Sequence, residues 1–538
     1  MNKMNPVFSL KNFRSFGEDG ADFELAPITV LTGCNSAGKS SLVKALMLLS
    51  NQPDGASWSS SAYDIRRNFP ATELNISTKT LMLGQFNKVI NDKSEGQKFE
   101  FSYRLWSDCL QEEVIVKRLF VPKKDILNNA KLCHFTIEKT DGTLIYEISD
   151  FGELVPNEKE NFDTIEENYK RFIAVIDFLW AKANYAVFVD NKGFEKNTNN
   201  DDSIENEDVT EIVKQNLATA CENLKKNNIQ VECYNKKTIE QWREQYSNLF
   251  NKTKLDDFIE KHLTNEEKEK KKKHSFMSLL VNEVVRPSFT KVSEYINSSS
   301  ALINRLYSIE DENKMSKALR LWNERISYFR YVLEDGYSIL NRPGCFLNKW
   351  IKKFHIGDSI EIEGTTEGVG ILVYLVKDGK RCLLADEGYG ITQLVSLLLQ
   401  IDNCILLALG PDSDGQYIYP NKMICVEEPE VHLHPKYQSL LADMFVEAYK
   451  KYNIRFIIET HSEYLIRKLQ VMVADKENTL TPNDVSLNYV EKDEWGLSHN
   501  RQIKILADGG LSNSFGAGFF DEADTLAIQL FRTKPLLS

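Results

Sequence analysis

Nine cysteines are scattered through the 538 residues, and none forms a CxxC pair. That spacing offers no zinc site and fits the reduced thiols of a cytoplasmic protein. No stretch of about twenty apolar residues is unbroken, so no membrane-spanning helix is expected. The nearest candidate, 391–409, is interrupted by Gln393, Gln400, Asp402 and Asn403 and reads as a buried helix. The opening Met1-Asn2-Lys3-Met4-Asn5-Pro6 lacks the apolar centre of a secretion signal. Basic charge is short as well: 66 Lys and Arg stand against 78 Asp and Glu, a net charge of −12. That balance argues against a uniformly basic nucleic-acid surface but leaves room for a local basic groove. No heptad pattern runs long enough for a coiled-coil arm. What remains, 42% apolar and 27% charged, is a globular composition. The length predicts about two to four domains.

Within that frame one stretch organises the chain. Gly33-Cys34-Asn35-Ser36-Ala37-Gly38-Lys39-Ser40 fits the phosphate-loop pattern GxxxxGK[ST]. An apolar run, Ile28-Thr29-Val30-Leu31, precedes it, and a helical run beginning Ser41-Leu42-Val43 follows. Glycines let successive backbone N–H groups converge on one anion, and the helix N-terminus adds partial positive charge. Residues 33–41 would therefore cradle a nucleoside triphosphate. Lys39 would reach the β/γ-phosphates, and the Ser40 hydroxyl would ligate Mg²⁺.

Around this loop the chain divides. Val7–Phe16 and Asp22–Leu25 read as strands, and four β-like runs follow at Phe99–Leu105, Glu113–Val121, Cys133–Lys139 and Leu144–Ser149. Asp141-Gly142 marks a hairpin, so an antiparallel meander is expected beside the nucleotide-binding sheet. Residues 1–155 form the first half of the nucleotide-binding domain, and 156–344 read as a mainly helical insertion. Asn197–Asp208 is a polar linker or loop tip. The charge run in Thr264–His274 reads as a solvated helix end, with a nucleic-acid contact as the alternative. Strand signals resume over 345–475, and 476–538 complete the lobe.

The second half supplies acids. Lys422-Met423-Ile424-Cys425-Val426 ends in Glu427-Glu428. Beside a phosphate loop, Glu427 would hold Mg²⁺ and Glu428 would polarise the attacking water. His432 and His434, with Glu430, have the spacing of a metal site as an alternative use. Arg455–Glu459 is a further strand, and His461 follows at its C-terminal edge, where open α/β sheets face their ligands.

Asn12-Phe13-Arg14-Ser15-Phe16, the loop GCNSAGKSS, the segment CVEEPEVHLHP and the ending IIETHSE together resemble ABC-type ATPases of the SMC and OLD branch. The compact ATPases of bacterial anti-phage systems such as Septu, PARIS and Gabija are especially similar. The resemblance implies an α/β fold: a split ABC-type P-loop domain with an antiparallel β lobe and an inserted helical domain. It implies ATP and Mg²⁺ as cofactors. It places Gln85 as the Q-loop residue on the metal and Asp386–Gln393 as the signature, with Gly388, Gly390 and Gln393 facing another subunit's γ-phosphate. His434 would lie in the D-loop, His461 would be the switch histidine, and Arg14 would lie against the nucleotide or in a surface ion pair. Two departures stand out: Glu427 replaces the commoner Asp, and the signature is not LSGGQ.

The resemblance further implies a homodimer or larger homo-oligomer that sandwiches ATP, and a separate effector, nuclease or toxin, answering a DNA or phage-derived trigger. No nuclease domain is read in 462–538, where Asp521, Glu522 and Asp524 look like a helix cap. A DNA-clamping repair ATPase and a nucleotide-gated scaffold with little turnover are the competing expectations.

Overall fold

The computed structural model describes residues 4–50, most of 73–149, of 157–174 and of 276–533, with only isolated residues between 175 and 275. Most of the expected helical insertion, including Asn197–Asp208 and nearly all of the Thr264–His274 charge run, lies outside the described residues.

A six-stranded sheet forms the centre, in the order Val292–Ile296, Lys422–Glu427, Ile454–Glu459, Ile28–Gly33, Val485–Lys492, Ser498–Ile503. All but the last run parallel to their neighbours. The phosphate-loop strand is buried at every position, as a strand covered on both faces requires. Its alternation divides the core into two layers. Leu31, Met423, Cys425, Ile457 and Val490 point into one cluster, while Val30, Ile424, Val426, Phe456, Ile458 and Leu487 point into the other.

The first layer is closed by helix Ser40–Ser50 and by an eight-stranded antiparallel sheet. Its strands Phe99–Ser107, Glu112–Pro122, Asn129–Lys139 and Leu144–Ser149 are the meander read from the sequence. Gly142 has φ of +87° in the expected turn, a conformation that glycine adopts without strain. Phe8, Phe13, Phe99, Phe101 and Phe120 interlock here with ring centroids 5.0–5.9 Å apart where they touch.

The second layer holds helices Lys314–Val332, Cys345–Lys353, Tyr389–Ile405, Pro435–Tyr452 and Glu463–Ala474. The expected buried helix is Tyr389–Ile405, and its polar interruptions are partnered. Asp402 accepts from Trp322 Nε1 at 2.8 Å and from the Leu347 backbone at 3.3 Å, and Asn403 donates to the Ala318 carbonyl at 2.9 Å. Such pairing is the condition for burying polar groups.

One strand sits where the sequence did not suggest. Val292–Ile296, inside the 156–344 segment, pairs parallel with Lys422–Glu427 and forms an edge of the central sheet. Phe276, Met277, Leu280, Val281, Val284 and Val285 also pack into the first core layer. The chain is thus back in the nucleotide-binding lobe well before 345.

Candidate nucleotide-binding site

The phosphate loop leaves its strand at Gly33, with φ of +129°, and turns through Ser36 at +59° and Gly38 at +101°. Two of these positions admit no side chain. A Cβ on Gly33 would lie 2.0 Å from the Val490 carbonyl, and one on Gly38 would lie 2.4 Å from the Ser15 hydroxyl. The C-terminal strands brace the loop from behind: Ser498 Oγ donates to the Ala37 carbonyl at 2.5 Å, and its backbone N–H to Ser15 at 2.8 Å. Nothing in the loop motif itself announces that support.

Lys39 is buried and donates to the carbonyls of Gly33, at 3.2 Å, and Cys34, at 2.9 Å. Burial lowers its pKa, against the pull of Glu459 and Glu428. Ser40 opens helix Ser40–Ser50, whose N-terminus follows the loop directly, the Ser41 N–H closing onto the Gly38 carbonyl at 2.9 Å.

Parallel pairing sets the acids side by side. Glu427 pairs with Glu459, and Glu459 with Leu31, at the C-terminal ends of three adjacent strands. The chain then bends at Glu428, whose φ of +48° is unusual for a residue with a side chain, and whose N–H donates to the Glu459 carbonyl at 2.7 Å. His461 follows the neighbouring strand. Burial and the Lys39 charge lower its pKa while Glu428 raises it, a net shift that favours the neutral imidazole. Lys39, Glu428, Glu459 and His461 thus share one electrostatic neighbourhood.

The remaining sequence candidates fall in three groups. Arg14 has φ of +55°, donates its backbone N–H to Val89 at 2.7 Å and accepts from Asn91 at 2.8 Å. Burial lowers the guanidinium's pKa, opposed by Glu427 and Glu459, so Arg14 faces the acid pair. Gln85 is exposed ahead of the short helix Phe86–Val89, and among the described residues no side-chain bond joins it to Ser40 or Glu427. In the signature segment, Gln393 is buried and places its amide on the Glu428 carbonyl of the same chain at 3.3 Å. A Cβ on Gly390 would strike the His432 carbonyl at 2.5 Å, whereas one on Gly388 would meet nothing within 4 Å.

The His432 ring packs edge-on to Tyr389 at 4.9 Å. His434 caps helix Pro435–Tyr452, its Nδ1 accepting from the Lys436 N–H at 3.2 Å. Glu430 is buried and accepts from the His461 backbone at 2.7 Å. These three side chains have local structural partners, and no trio of metal-ligating side chains gathers among the described residues.

Three residues escaped the sequence reading. Glu459 accepts the Ser40 hydroxyl's hydrogen bond, and its pKa is pushed up to about 7 by burial and Glu427. Tyr295, from the edge strand, donates its hydroxyl to Glu427. Lys44 feels both acids from the first turns of its helix. Glu459 carried the signal that identified Glu427, an acid closing an apolar strand, but its strand was read for His461.

ATP and Mg²⁺ fit these residues. Glu427 Oε1 and Glu459 Oε2 are buried without a hydrogen-bond partner beside the Ser40 hydroxyl, and the buried Lys39 reaches across the loop to the Gly33 and Cys34 carbonyls. The arrangement can hold phosphate oxygens, a divalent cation and a polarised water.

A family described as an AAA ATPase domain matches residues 7–466, and a family described as a protein of unknown function, DUF3696, matches residues 480–530. No curated protein matches the sequence. Among solved structures, the chain is similar to an Smc head bound to the C-winged helix domain of ScpA, at 10% identity and TM-score 0.40, covering 93% of this chain and 98% of that one. It is also similar to the SMC head domain from Thermotoga maritima, at 11% identity and TM-score 0.32, covering 93% and 98%. No helix among the described residues is long and apolar enough to cross a membrane.

Proposed function

The chain belongs to the AAA ATPase domain family, and on that premise we propose that it binds and hydrolyses ATP with Mg²⁺ in a site completed by a second copy of the chain. One observation carries the reading: Lys39 and Ser40 open onto Glu427, Glu428 and His461 at one edge of the sheet.

Lys39 and the loop N–H groups at 35–40 would bind the phosphates, as a point charge and a ring of donors. Mg²⁺, when bound through Ser40 and the strand-end acids, supplies charge neutralisation for the phosphate oxygens. Glu428, held off the strand by its bend, would take the proton of the attacking water. Neutral His461 would donate to the γ-phosphate oxygen. Gln393 would link the signature helix to Glu428 through the carbonyl it already holds. Gly388 and the N-terminus of Tyr389–Ile405 lie open and would offer N–H donors to the partner's nucleotide. In this reading the closed dimer controls a separate effector in anti-phage defence, which the resemblance of the motif set supports.

Phosphate release and binding of a fluorescent ATP analogue test the chemistry. Wild type should turn ATP over, Lys39→Ala should lose binding, and Glu428→Gln should bind but fall about 10²–10⁴-fold in turnover. Binding without turnover in wild type would favour a scaffold instead.

A further inference from the structure

The two acids closing adjacent strands are not equivalent. Glu427 and Glu459 stand opposite one another in register, and neighbouring parallel strands lie about 4.8 Å apart. Glu427 receives the Tyr295 hydroxyl, whereas the Ser40 hydroxyl goes to Glu459. Glu459 is only 8% exposed, and its Oε2 has no hydrogen-bond partner, like Oε1 of Glu427. Lys39 does not neutralise them directly, since its ammonium rests on the Gly33 and Cys34 carbonyls. Two carboxylates with buried, unpartnered oxygens disfavour each other's ionised form unless a cation lies between them. A hard divalent cation takes such oxygens together with a hydroxyl and phosphate oxygens.

We propose that Glu459 is a metal-binding residue of the nucleotide site, holding with Ser40 and Glu427 the divalent cation that accompanies the nucleoside triphosphate. The assignment rests on the ATP-binding reading above and shifts part of the cation's anchorage to the strand between the loop and the Glu427 strand. Helix Ser40–Ser50 and the His461 strand would then be clamped through one ion, so cation binding would report directly to the strand that carries the histidine.

Mn²⁺ serves as the probe, followed by electron paramagnetic resonance with a non-hydrolysable ATP analogue on the full chain. Glu459→Gln should weaken Mn²⁺ binding at least about tenfold. Binding of the analogue in EDTA should not weaken, because the substitution removes a negative charge and no phosphate donor, and metal-free melting should be unchanged or raised. Wild-type Mn²⁺ affinity in Glu459→Gln, with the loss confined to Glu427→Gln, would overturn the assignment. Should Glu459→Gln fail to fold, Glu459→Asp carries the test, because withdrawing the carboxylate by one methylene should still weaken Mn²⁺, and an unchanged affinity would overturn the proposal. A wild type that binds no analogue with or without Mn²⁺ would sink the ATP-binding reading itself, a result distinct from loss of the metal effect alone.

Discussion

The antiparallel sheet and the ligand-facing strand ends of the central sheet treat charge in opposite ways. On the antiparallel sheet, acids meet bases across strands: Lys117 lies 2.7 Å from Glu138, Lys123 2.6 Å from Glu73, and His134 2.8 Å from Glu147. Strand Glu112–Pro122 alternates buried and half-exposed positions along its length, so its polar side chains reach solvent or a partner. In the central sheet, strands Lys422–Glu427 and Ile454–Glu459 bury mostly apolar side chains and carry their acids at their C-terminal ends. There Glu427 and Glu459 retain buried oxygens without donors, and Glu428 sits in a left-handed bend. Unsatisfied charge and backbone strain of this kind persist where surrounding structure holds them for use. One sheet is built for stability, and the other spends stability at its ligand-facing edge.

Substitutions should separate the two sheets, beginning with the strongest effect. Lys39→Ala should abolish ATP binding and turnover while leaving the melting temperature of the nucleotide-free protein within a few degrees of wild type, measured by analogue fluorescence and calorimetry. Phe101→Ala, in the fully buried aromatic cluster, should cost about 3–5 kcal/mol in denaturant unfolding. Its ATP turnover per folded molecule should survive, because the rings packed on Phe101, those of Phe8, Phe13, Phe99 and Phe120, all lie outside the phosphate loop.

A smaller effect should appear with pH. The Glu459 pKa rises from 4.5 to about 7 on folding, so between those values the folded chain binds more protons than the unfolded one. Stability from this group is therefore present at low pH and lost as pH rises through about 7. In EDTA, Glu459→Gln should flatten the pH dependence of melting between pH 5.5 and 7.5 relative to wild type. The mildest change should be Lys117→Ala, whose half-exposed pair with Glu138 contributes about 0.2–1 kcal/mol and which should leave turnover untouched.

These contrasts also explain what could be read from the sequence. The phosphate loop, the Glu427-Glu428 strand end and the meander strands each carry a local pattern, set by glycine conformation or by a period of two, and each is found where the pattern put it. Strand Val292–Ile296 has no such run. Its Ser293 and Glu294 break the apolar pattern, and its place is decided by pairing with a strand far along the chain. Gln393 shows the same limit: glycine content located the signature segment, but the bond to the Glu428 carbonyl depends on how helix Tyr389–Ile405 packs. The Glu427–Glu459 juxtaposition depends on register between two strands joined through helix Pro435–Tyr452. Local chemistry is legible residue by residue, whereas neighbours set by sheet order are not.

The central claim is a nucleotide site closed by a second copy of the chain. Mass photometry of Glu428→Gln with and without ATP and Mg²⁺ addresses it directly, because this variant should bind ATP without discharging it. A shift from monomer to dimer, or to a larger assembly, only when ATP and Mg²⁺ are present is the predicted result. A mass that stays monomeric while ATP is demonstrably bound would contradict the account.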